Sequence, residues 1–92
     1  MDEARIEWTD YMRYRAALRH FDLARIEQVV RYSTERYADT VTGRLIAVGK
    51  HESHLIMVPY DIEHDTIRPV TVHVTTRRQI AARIESGRLT YE

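Results

Sequence analysis

The sequence predicts an α+β domain in which two N-terminal helices, a four-stranded antiparallel meander and a C-terminal helix follow one another, α-α-β-β-β-β-α. Three observations predict it. Apolar residues recur at offsets of three and four up to about residue 32 and alternate from residue 35, and helical spacing returns after Thr76. The joints between these segments are short and hold turn formers such as Thr42-Gly43 and Glu63 to Asp65, which favours neighbouring elements over crossovers. No repeat or linker interrupts the 92 residues, so residues 1–92 form one domain.

The first helix runs from about Asp10 to Arg19, with Thr9 or Asp10 able to cap it. Tyr11, Tyr14 and Leu18 make its apolar stripe, Arg13 and Arg15 lie off that stripe, and Trp8 packs just before it. His20-Phe21 is a short joint. Asp22 caps a second helix from Leu23 to about Tyr32, whose inner face is Leu23, Ile26, Val29 and Val30. A joint this short makes the two helices a hairpin.

Glu35 to Thr40 is a weak strand. Gly43 to Lys50 is a better one, with Leu45, Ala47 and Gly49 opposed to Arg44, Ile46, Val48 and Lys50. His51 to Ser53 reads as a turn. His54 to about Ile62 is the third strand, and Pro59, which cannot donate to a ladder, marks an edge or a bulge. Ile67 to Thr75 is the fourth strand. Its alternation puts Val70, Val72 and Val74 on a core face and Thr71, His73 and Thr75 on a polar one. Thr76 caps a last helix over Arg77 to Glu85 with Ile80, Ala81 and Ile84 inward, and Gly87 stops it. The tail RLTYE lies over the sheet or stands free.

The absence of cysteine excludes disulfides, thiolate catalysis and Cys-ligated zinc. No HExxH, glycine-rich phosphate loop, EF-hand or Gly-x-Ser-x-Gly spacing occurs. The N-terminal MDEARIEW is polar and acidic, unlike a secretion signal or an anchor, so a cytoplasmic location with no membrane contact is expected. Net charge is zero, yet unevenly spread. Residues 1–10 carry four acids and one arginine, residues 11–32 five arginines and two acids, and residues 69–92 four arginines and two glutamates. A basic patch assembled from the two arginine-rich segments is one reading, and solvated helix faces are the other.

Of the five histidines, His51, His54 and His64 fall at turns, where solvent exposure is the simplest reading and a metal site would need opposite ends of the sheet to meet. No metal or cofactor is expected. His73 sits within a strand as a candidate proton-transfer group, since imidazole titrates near neutrality. Arg77 and Arg78 open a helix directly after it, where cations are mildly unfavourable and an outside anion would explain them. Arg44 and Lys50 share a strand face and extend a positive strip. Trp8, Tyr11, Tyr14 and Phe21 offer surfaces for base stacking or for the core. RNA cleavage by its own 2′-hydroxyl needs only a base, an acid and cations, all within reach of histidine and arginine.

The order of short motifs resembles the BrnT-like toxins and the related DUF4258 domains of the RelE-like ribonuclease fold. It rests on Ile6-Glu7-Trp8-Thr9-Asp10, Arg19-His20-Phe21, the strand from Gly43 to Gly49, and Val74-Thr75-Thr76-Arg77-Arg78-Gln79. This resemblance spans roughly Ile6 to Ile84 and implies a metal-independent messenger-RNA endoribonuclease, neutralised by an antitoxin protein. It directs functional interest to Trp8, His20, Arg44, Arg77 and Arg78. Joined to the pattern-based reading, the candidate catalytic set is His20, Arg44, Arg77 and His73, and the candidate RNA-binding set is Trp8, Lys50 and Arg78. The alternative is a non-catalytic module that binds nucleic acid, a protein or a second copy of itself, for which the strand around Pro59 and Tyr60 offers an edge.

Overall fold

The computed structural model describes residues 3–92; Met1 and Asp2 of the acidic N-terminal stretch lie outside them. The elements are β1 (Arg5–Ile6), α1 (Asp10–Leu18), α2 (Leu23–Tyr32), β2 (Glu35–Asp39), β3 (Leu45–His51), β4 (His54–Glu63), β5 (Thr66–Pro69), β6 (His73–Thr75), α3 (Arg77–Glu85) and β7 (Leu89–Tyr91). They build a single mixed sheet ordered β1-β5-β4-β3-β2-β7, with β6 also paired to β4.

The expected meander is present at the centre, where β2, β3, β4 and then β5 pair antiparallel in sequence order. Three features correct it. The stretch before the first helix adds β1, parallel to β5. The C-terminal tail adds β7, antiparallel to β2. The fourth strand is also broken in two. Tyr60 pairs with Pro69 and Met57 with His73, so Val58 and Pro59 face Val70, Thr71 and Val72, one residue too many.

Pro59 explains the break. Its carbonyl accepts from the Val70 N–H at 2.8 Å, so its nitrogen, which has no hydrogen to give, faces the same neighbour. A proline inside a central strand is thus matched by a bulge opposite it, and β4 is not an edge. Val72 keeps its expected place in the core, but the bulge shifts the residues around it. Val72 is fully buried against α1 and α2, Val70 turns to the α3 side, Val74 is exposed, and Thr75 is buried.

Two cores flank the sheet. On one side Ala47, Ile56, Val58, Tyr60, Ile67 and Val72 meet Met12 and Ala16 of α1 and Ile26, Val29 and Val30 of α2. On the other, Tyr37, Ile46, Val48, Met57 and Leu89 meet Ile80 of α3. The α2 face is as its periodicity predicts. The α1 face is not: Tyr11, Tyr14 and Leu18 are 57%, 61% and 55% exposed, and Met12 and Ala16 point inward instead.

Ends and joints follow local chemistry. Thr9 accepts from Met12 N, Asp22 from Ala24 N, and Thr76 closes a full capping box with Gln79. Gly87 takes the left-handed conformation, φ +81°, after α3. At Gly49 a Cβ would lie 2.9 Å from a Val29 methyl, so α2 approaches β3 only because the residue is glycine.

Candidate nucleic-acid interface

The bulge creates the site. It delivers His73 to the α3 face of the sheet beside Met57. Around it lies a pocket of about 210 Å³ whose apolar floor is Ile46, Met57, Pro59 and Val70. Thr71 and His73 of the bulged segment line it, together with Arg44, Arg83 and Arg88. The Thr71 Oγ1 is the one buried side-chain oxygen or nitrogen among the described residues that has no hydrogen-bond partner.

His73 is half-buried between two layers. From α1, the Arg15 Nη2 donates to His73 Nδ1 at 3.3 Å, and Arg15 Nε donates to the Val72 carbonyl at 3.5 Å. A guanidinium can only donate, so Nδ1 is the lone-pair nitrogen and Nε2 carries the proton of the neutral ring. Burial, followed by the Arg15, Arg83 and Arg19 charges, holds the imidazole below its ordinary value. Arginines from both basic segments of the sequence, 11–32 and 69–92, therefore converge on this one histidine.

The other cations differ in what neutralises them. Asp39 chelates Arg88 at 2.9 and 3.1 Å and also accepts from the N–H groups of Val41 and Thr42. These bonds hold its carboxyl well below the usual carboxylate range. Arg44 pairs with Asp61 at 3.2 Å across the hairpin. Arg83 donates only to the Met57 sulfur, at 3.9 Å, and has no carboxylate in ion-pair range among the described residues.

Of the candidate catalytic residues, His73 and Arg44 share this pocket. Arg77 does not line it: its guanidinium grips Glu35 at 2.7 and 2.8 Å, and Tyr37 donates to the same carboxylate. This network ties the start of α3 to β2. Glu35 is pushed up by burial, but the Arg77 and Tyr37 bonds outweigh that and lower it. Arg78 is exposed on the same helix start and outside the pocket.

His20 is exposed in the α1–α2 joint with φ +59°. Its N–H bonds to Ala17 O and that of Phe21 to Ala16 O, the two bonds of a Schellman closure with His20 in the left-handed position. Trp8 packs against the α1/α2 core. Lys50 lies at the far end of β3 from Arg44, with buried Ile46 and Val48 between them, so the strip proposed for that face is interrupted. Lys50 instead lines a shallow groove with Arg25 and Ser33.

The turn histidines divide. His54 and His64 are exposed at opposite ends of β4. His51 is only 4% exposed, contrary to its expected place at a solvated turn. Its Nε2 accepts from the Asp22 N–H at 2.8 Å, and its ring lies 5.0 Å from Phe21, latching the α1–α2 joint to the sheet.

Sequence reasoning overlooked Arg15, Arg83 and Thr71. The signal for Arg15 was its spacing. At about 100° per residue it lies between the inward Met12 and Ala16 and the outward Tyr11 and Tyr14. No helix among the described residues is long and apolar enough to cross a membrane. Comparison with protein-family models, curated proteins and solved structures finds no match.

Proposed function

We propose that this domain binds single-stranded RNA across the surface centred on His73. The observation that carries the reading is the convergence of Arg15 from α1 and Arg83 from α3 on a half-buried histidine, with the Arg19 charge just beyond α1 adding to the field. In the neutral ring Nε2–H is a donor, suited to a phosphate oxygen, and the guanidinium groups supply the positive field. The exposed Tyr11 and Tyr14 on the adjoining flank of α1 offer faces on which bases stack, which favours a single strand over a duplex. The acidic end, where Glu7, Glu63 and Asp65 gather, lies outside this surface. Adding a short unstructured RNA should shift the NMR signals of His73, Arg15, Arg19 and Arg83 and leave those of Glu63 and His64 in place. Shifts confined to other residues would refute the reading.

A second reading is the metal-independent endoribonuclease toxin that the motif order resembles, with an antitoxin as its partner. It is favoured by the neutral state in which His73 is held, since a general base needs a free lone pair. That lone pair, on Nδ1, is covered by Arg15. Cleavage therefore requires a substrate phosphate to draw the Arg15 guanidinium away. Nδ1 then takes the 2′ proton, the 2′ oxygen bonds to phosphorus, and the 5′ oxygen leaves and takes a proton from water. The products are a 2′,3′-cyclic phosphate and a 5′-hydroxyl. Their appearance with the wild type and loss in His73→Gln identifies cleavage; intact RNA that remains bound identifies the binder.

A further inference from the structure

We infer that the pocket behind His73 is a slot for one nucleobase of the bound strand, read through the hydroxyl of Thr71. The inference rests on the RNA-binding reading and deepens it by assigning a base-selective subsite.

The pocket is poorly built for phosphate. Arg88 is committed to Asp39 by two parallel bonds, and Arg44 is paired with Asp61. Only Arg83, among the arginines lining it, lacks a carboxylate partner among the described residues, and it also faces His73. Phosphate therefore belongs at the Arg15–His73–Arg83 side. The floor of Ile46, Met57, Pro59 and Val70 is apolar, which suits the face of a flat ring.

Thr71 supplies the selectivity. The extra residue of the bulge releases its segment from the β4 ladder and brings Thr71 to the pocket wall. Its Oγ1 is buried without a partner, and a hydroxyl left so is costly unless something bonds to it. Rotation of the Thr71 side chain toward the pocket lets a base edge, with donors and acceptors in one plane, complete that bond. A hydroxyl both donates and accepts, so it grades bases by how well their edges fit rather than admitting a single pattern.

The test uses uncharged nucleosides (adenosine, cytidine, guanosine and uridine), with inorganic phosphate as a separate probe, against the full chain with its methionine methyl groups labelled. Nucleosides should shift the Met57 methyl, unequally among the four bases, and Thr71→Val should reduce the spread in affinity by several-fold to about tenfold, the worth of one hydrogen bond. Thr71→Ser should restore it. RNA binding that persists while no nucleoside shifts Met57, or an unchanged spread in Thr71→Val, overturns the slot and leaves the RNA-binding reading standing. Shifts at Met57 from phosphate but not from nucleosides assign the pocket to an anion and overturn the slot. Failure of both nucleosides and RNA to bind overturns both readings.

Discussion

At the scale of single residues, His20 and His73 separate on backbone and partners. His20 holds a left-handed conformation in which glycine is the better residue. His20→Gly should therefore stabilise the domain by about 1 kcal/mol, the cost a side chain incurs in that region, measured by denaturant unfolding. Loss of stability would show that the imidazole contributes a bond of its own. His73 is the opposite case, an ordinary strand residue with a perturbed ring. Its neutral form is favoured in the folded state, so the unfolded chain binds the proton more readily. The stability contribution is complete above the ordinary histidine value and is lost as pH falls through the lowered folded value. An NMR titration should place His73 below the ordinary histidine value, and Arg15→Gln should move it upward. The pattern of the chain placed His73 in a strand, because alternation is a local signal. It did not reveal Arg15 as its partner, since that contact joins residues 58 apart.

At the scale of elements, helix ends were the most legible features, because caps act within four residues of themselves: Thr76 caps α3 as expected, and Gln79 completes a capping box with it. Faces were less so. In the fourth strand a single extra residue puts Val70 out of phase with Val72, and only the pairing with β4 exposes it. Pro59 was the available clue, and it marked the bulge opposite rather than an edge. In α1 the bulkier stripe of Tyr11, Tyr14 and Leu18 outweighed Met12 and Ala16 on the page, but in the fold it is Met12 and Ala16 that face the core. The two added strands are too short to show a period. Close approach governs the α2–β3 contact. Gly49→Ala should destabilise by about 1–3 kcal/mol, as overpacking does, seen as a lower denaturation midpoint. A neutral effect would mean that α2 shifts freely on the sheet.

At the scale of the whole molecule, a net charge of zero conceals separation. Much of the negative charge is held in pairs such as Asp39–Arg88 and Glu35–Arg77 or gathered near the β1–β5 end, while Arg15 and Arg83 meet at His73. The composition alone could not distinguish this from evenly solvated faces. The most direct measurement is the salt dependence of RNA affinity, by fluorescence anisotropy with a labelled single strand, for the wild type, Arg15→Gln, Arg83→Gln and Arg68→Gln. The logarithm of affinity should fall linearly with the logarithm of salt. Losing either Arg15 or Arg83 should reduce that slope by about 0.7, the value for one phosphate contact on a single strand, and Arg68→Gln should leave it unchanged. Equal slopes in all four proteins would contradict a binding surface centred on His73.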